Sequence, residues 1–223
     1  MSAGAAQALV RTIAARHGID VEGDFGAVGA MRERFLAGAP CDVVILTRAQ
    51  IEELVVQGEA LAATVDLGAV PTAIAVREPD PSPDVSSEAA LRAAILAADA
   101  IYFPDPQKAT AGIHFAKVLE QLGIRGEMDS RIRNYPNGAT AMRAMAEAGG
   151  HPIGCTQATE ILATSGVRLV AALPRGFELQ TVYTAAVGAA ARDPSAARAF
   201  VTSLGDAPSR ALRAEAGFVL SEP

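Results

Sequence analysis

Along this chain, short apolar runs of β type alternate with segments of helical period, and small uncharged residues join one to the next. Asp42–Leu46, Val70–Val76, Ala100–Phe103, Ile153–Cys155, Val167–Ala171 and Thr181–Val187 read as strands, since apolar and β-branched residues follow one another between turn formers. A further short strand is expected around Asp20–Asp24. Ala6, Leu9, Val10 and Ile13 keep the i, i+3, i+4, i+7 spacing of one helix face, which predicts a helix over Ala5–His17. Met31 and Phe35, with Leu36, mark a second helix that ends at Gly38-Ala39-Pro40. Ile51, Leu54 and Val55 mark a third, Ala49–Gln57, with Thr47 as its cap. Others are expected behind Ser86 or Ser87, behind Asn137-Gly138 and behind Asp193-Pro194. Strands alternating with helices in this way pack as an α/β fold with mainly parallel sheets.

That architecture gives the junctions a possible task. In open α/β sheets ligands sit at the carboxyl ends of the strands. There, helix N-termini present free N–H groups and a partial positive charge. The junctions Ser2-Ala3-Gly4-Ala5, Gly26-Ala27-Val28-Gly29, Thr110-Ala111-Gly112 and Pro136-Asn137-Gly138-Ala139-Thr140 are small and uncharged, and Cys155-Thr156-Gln157 offers polar side chains at a similar place. Several such ends converging would hold an anion without any lysine or arginine. Small residues also simply permit close packing, so one junction alone reads either way. The chain contains no GxxxxGK[ST] and no full dinucleotide fingerprint, so no cofactor is expected.

Composition removes other classes. With 223 residues, half of them hydrophobic, the chain can bury a real core as one domain or two small lobes. The formal charge is -6 and no basic cluster stands out, which argues against a nucleic-acid partner. No apolar run approaches the ~18 residues of a membrane span. Cys41 and Cys155 have no metal-type spacing with the histidines, so no metal is expected, and the two read as small thiols rather than a disulfide. Met1–Ala5 lacks a charged region followed by an apolar one. The expected location is therefore the periplasm if an export signal lies upstream of Met1, and the cytoplasm otherwise.

Phe25-Gly26-Ala27-Val28-Gly29-Ala30-Met31 leading to Gly38-Ala39-Pro40-Cys41-Asp42-Val43, Asp105-Pro106 through Ala111-Gly112-Ile113 to Leu122-Gly123, Pro152-Ile153-Gly154 and Gly217-Phe218 occur in an ordered set. That set resembles the molybdate-binding-protein family, solute receptors of the type II periplasmic binding-protein fold. The resemblance implies two α/β lobes joined by crossing strands near 70–76 and 181–187, with a ligand in a hinge cleft. Lobe one would comprise 1–72 plus 185–223, and lobe two 73–184. It implies a small anionic ligand, an ABC-type permease as partner and a monomeric receptor. The ligand contacts implied are Ser2 and Gly4 at the first turn, Ala27, Val28 and Gly29 at the second, Thr110 and Ala111 at the third, Gly138 and Ala139 at the next, and Gln157. Where the family carries hydroxyls, this chain has Gly4, Ala27, Val28 and Gln157. Each hydrogen bond withheld from a buried oxyanion costs about 1–3 kcal/mol, so the expected ligand is a small organic acid rather than molybdate.

The resemblance also admits an enzyme, because aconitate isomerase is built on the same type II fold. That chemistry needs a base beside a carboxylate and donors for a developing enolate. His114, Tyr135 and Cys155 are the candidates for the base, and Arg131 and Arg133 could attract an acid. A ligand-sensing regulator is the third class, but no helix-turn-helix segment is seen.

Overall fold

The computed structural model describes residues 1–220, so the last three residues of the expected first lobe, 221–223, lie outside the described residues. Two compact units divide the chain: Met1–Val70 with the chain from Thr181 onward, and Pro71–Gln180.

In the first unit, β1 (Ser2–Ala3) and a 3-10 turn, Gly4–Ala6, lead into α1 (Gln7–Arg16). The order continues with β2 (Phe25–Gly26), α2 (Val28–Leu36), β3 (Val43–Thr47), α3 (Arg48–Val56) and β4 (Val65–Arg77), which runs on into the second unit. Leu9, Val10 and Ile13 of α1 are buried, as their spacing requires. Thr47 caps α3 in a full capping box with Gln50, which fixes where strand gives way to helix. The expected strand at Asp20–Asp24 does not form. These mostly exposed residues make a loop, and the paired strand is Phe25–Gly26 instead. Alternation around Val21 lost to two exposed aspartates and a glycine, which favour turns.

The second unit follows with α4 (Glu88–Ala97), β5 (Ile101–Pro104), α5 (Thr110–Gln121), α6 (Arg125–Met128), β6 (Ile132–Tyr135), α7 (Gly138–Ala146), β7 (Ile153–Gln157), α8 (Ala158–Leu162) and β8 (Val167–Ala172). Here β7, β5 and β6 lie parallel side by side, while β4 pairs antiparallel with β7 and β8. Ile74, Leu91, Ile95, Phe103, Phe115, Leu119 and Ile153 belong to its core, where Phe103 meets Phe115 edge to face at 5.3 Å between centroids. β6 was not legible as a strand, because Ile132-Arg133-Asn134-Tyr135 exposes its middle residues at the sheet edge. The chain returns to the first unit through β9 (Gln180–Val187), which pairs antiparallel with β3, and ends in α9 (Pro194–Gly205) and α10 (Arg210–Glu215).

A polar knot closes one end of the second sheet. Arg77 donates from Nε and Nη2 to the two oxygens of Asp80, both at 2.8 Å, and also to the carbonyls of Ala148 and Gly150. His151 Nδ1 stands 3.3 Å from Asp80 Oδ1. The Arg77 hydrogen bonds hold the Asp80 carboxyl below its ordinary value of 3.8 despite burial pushing the other way. A carboxyl with a lowered folded pKa adds stability above its unfolded pKa and loses it as pH falls through the folded one. Asp80→Asn is therefore expected to lower the urea midpoint at pH 7. The gap to wild type should shrink between pH 4 and pH 2. A gap that stays constant over that range would remove Asp80 from the acid limb.

Candidate functional site

Strand register brings the small junctions together within each unit. In the first, Ala3 pairs with Gly26 across parallel β1 and β2, so the turns at Gly4 and Ala27 leave neighbouring carboxyl ends. In the second, parallel β6, β5 and β7 place the turns that open α7, α5 and α8 along one sheet edge. The expectation of helix N-termini gathered at strand ends is met inside each unit.

Capping divides these helices into two kinds. α3, α4, α7 and α9 receive side-chain caps from Thr47, Ser87, Asn137 and Asp193. The turn before α1, and α2, α5 and α8, receive none, their N-cap residues being Ala3, Ala27, Ala109 and Gln157, and the short α6 and α10 receive none either. A start without a side-chain cap leaves its first N–H groups to other partners. The residues around these ends are buried: Ser2 at 5% exposure, Ala27 and Val28 at 7%, Ala111 at 2%. The Ser2 hydroxyl donates to the carbonyl of Ala3 at 3.0 Å. Gly4, Gly29 and Thr110 are half-buried.

At α5 the turn is organised by Asp105, whose Oδ1 accepts from the N–H groups of Gln107 and Lys108 at 2.7 and 3.1 Å. Its carbonyl accepts from Ala109. A Cβ added to Gly112 would lie 2.3 Å from the carbonyl oxygens of both Pro104 and Asp105. The glycine is thus demanded by the end of β5, not by an approaching ligand.

At α7 and α8 a residue absent from the sequence-based site takes the centre. Glu160 is 7% exposed, and the Thr156 hydroxyl donates to its Oε2 at 2.6 Å. The backbone N–H groups of Ala139, Gly138 and Gln157 also donate to its carboxyl. Burial pushes this carboxyl up, and these donors pull it back. Two turns expected to offer Gly138, Ala139 and Gln157 to a ligand spend those backbone donors on a side chain of the protein itself. The signal was present as Gln157-Ala158-Thr159-Glu160, the spacing of a capping-box glutamate at the third helical position. That the same carboxyl also reaches α7 depends on how β6 and β7 are brought together.

The base candidates are held apart. His114 Nε2 lies 2.8 Å from the Phe177 carbonyl, an arrangement in which that nitrogen carries the proton. Cys155 is wholly buried in β7, where desolvation pushes its thiol well up, away from the thiolate a nucleophile needs. Tyr135 is half-buried on β6, stacked on Tyr102 at 6.0 Å between centroids. Arg131 donates to the carbonyls of Leu96 and Ala98, and Arg133 to those of Ser130 and Ile132, so both guanidinium groups serve backbone carbonyls.

A cavity of about 690 Å³ lies in the first unit, at the amino ends of β1 and β2. Asp20, Glu22, Asp24, Asp42 and Asp193 line it, with Arg192 already paired to Asp42. It lies at the opposite strand ends from the turns at Gly4 and Ala27, and its carboxylates disfavour an anion.

Residues 1–219 match the family described as bacterial extracellular solute-binding protein. Over 177 residues the chain is 27% identical to an aconitate isomerase from Pseudomonas sp; the match covers 78% of this chain and 66% of that relative. The periplasmic molybdate-binding protein of Azotobacter vinelandii superposes with a TM-score of 0.77 over 100% of both chains, at 19% identity. The sulfate-binding protein of Mycobacterium tuberculosis H37Rv gives 0.71 over 97% of this chain and 84% of its own, also at 19% identity. The fold is that of the type II periplasmic binding proteins.

Proposed function

We propose, from the premise that this chain belongs to the bacterial extracellular solute-binding protein family, that it captures a small organic acid and delivers it to an ABC-type permease. The observation that carries the reading is the set of uncapped helix ends before α1, α2 and α5, flanked by buried Ser2, Ala3, Ala27, Val28 and Ala111. Backbone N–H groups there suit carboxylate oxygens, and helix dipoles supply the compensating charge. Ala27, Val28 and Ala111 bring no hydroxyl donors, so a tetrahedral oxyanion would leave oxygens unpaired. The residues we assign to the ligand are Ser2, Gly4, Ala27, Val28 and Gly29 of the first unit and Thr110, Ala111 and Gln157 of the second.

A thermal-shift screen of carboxylic acids against molybdate and sulfate tests this. A carboxylate at about a hundred times its Kd should raise the melting temperature by roughly 5 °C or more. Tight molybdate or sulfate binding with no response to any carboxylate would overturn it.

The second reading, an isomerase of a small polycarboxylate, is favoured by the similarity to the aconitate isomerase. Among its base candidates Cys155 is buried as a thiol, which leaves His114 and Tyr135. Proton NMR of cis- and trans-aconitate incubated with the protein separates the readings, because a receptor leaves either isomer unchanged.

A further inference from the structure

We infer that Glu160 is a specificity-determining residue: a built-in carboxylate that fills the helix-end cradle of α7 and α8 and leaves the start of α5 to a ligand. The consequence for ligand choice rests on the anion-binding reading above; the filling of the cradle does not.

The geometry is that of an internal ligand. Thr156 Oγ1 donates to Glu160 Oε2 at 2.6 Å, and the N–H groups of Gly138, Ala139 and Gln157 point at the same carboxyl. A Cβ built on Gly138 would come within 2.0 Å of Oε2 and 1.9 Å of Thr156 Oγ1, so the carboxyl lies directly against the first residue of α7. Phosphate or sulfate oxygens take such positions at helix N-termini elsewhere. Here the side chain of the third residue of α8 takes it, in a pocket where Thr156 is fully buried.

Two consequences follow for binding. The backbone donors of Gly138, Ala139 and Gln157 are occupied, so of the helices that follow β5, β6 and β7, α5 with Thr110 and Ala111 is the one whose start receives no side-chain acceptor among the described residues. Parallel pairing of β7 with β5 puts the turn into α5 and the start of α8, where Glu160 sits, at the carboxyl ends of neighbouring strands, so any charge on Glu160 acts on that end. A doubly charged ligand is then disfavoured relative to one presenting a single carboxylate.

Acetate is the isostere of the group that Glu160→Ala deletes. The variant should melt below wild type. Sodium acetate at tens of millimolar should raise its melting temperature by several degrees more than it raises that of wild type, and acetamide should not. Equal acetate shifts in the two proteins would overturn the inference. Should the variant be recovered only unfolded, refolding yields in acetate and in sodium chloride are compared, and equal yields overturn it. The specificity arm uses Glu160→Gln, which keeps the volume and removes the charge. Its affinity for sulfate relative to acetate should rise roughly tenfold over wild type, and an unchanged ratio refutes the selection. A wild type that binds no anion would sink the anion-binding reading, while acetate rescue still decides the placement of Glu160.

Discussion

Gly112→Ala is expected to destabilise the protein by about 3 kcal/mol or more, the upper range for forcing bulk into a packed site. The added Cβ would stand 2.3 Å from two backbone oxygens, those of Pro104 and Asp105, and 2.7 Å from the Asp105 carbonyl carbon. No flexible side chain can yield there; either the end of β5 or the start of α5 must move. Moving α5 would part Phe115 from Phe103, both fully buried in the core of the second unit. Whatever protein still folds should respond more weakly to a ligand, because Thr110 and Ala111 travel with α5. Gly126→Ala is the control, since nothing lies within 4 Å of its Cβ position and the residue is helical. It should be neutral or stabilising by a few tenths of a kcal/mol. Urea midpoints of the two variants against wild type decide the matter, and equal midpoints for Gly112→Ala and Gly126→Ala would refute the close approach.

Gly138→Ala is expected to cost about 3 kcal/mol by a different route. Its Cβ would overlap the Thr156 hydroxyl and the Glu160 carboxyl, at 1.9 and 2.0 Å. These are side chains, so they can move, but moving Glu160 strips the N–H groups of Ala139 and Gln157 of their acceptor. The cost is therefore lost hydrogen bonding as much as overlap. Coupling follows from this: with Glu160 already removed, only the Thr156 hydroxyl still has to turn aside, and its own hydrogen-bond partner is gone. A double-mutant cycle of Gly138→Ala with Glu160→Ala should show the pair less destabilised than the sum of the single changes, by at least about 1 kcal/mol. Strict additivity would mean that the two residues do not share the space.

The legibility of the site followed the range of the interactions that built it. Thr47, Ser87 and Asp193 were readable as caps because a cap and its partners lie within one turn. Strands β3, β4, β5, β7, β8 and β9 were readable from their apolar runs, whereas β6, at a sheet edge with Arg133 and Asn134 exposed, carried no such run. The smallness of Thr110-Ala111-Gly112 was visible, but its cause was not: Ala111 lies at an uncapped helix end, while Gly112 answers to the carbonyls of β5. Gly138 looked equivalent to them and is not, because Glu160 stands in front of it.

By itself, the sequence determined most of the elements, their alternation and the family, since two- and 3.6-residue periods and short-range caps are local properties of the chain. Which helix ends remain open to a ligand was decided only by tertiary structure. Parallel pairing of β6, β5 and β7 sets α7 against α8, and only then can one buried carboxylate close both of them.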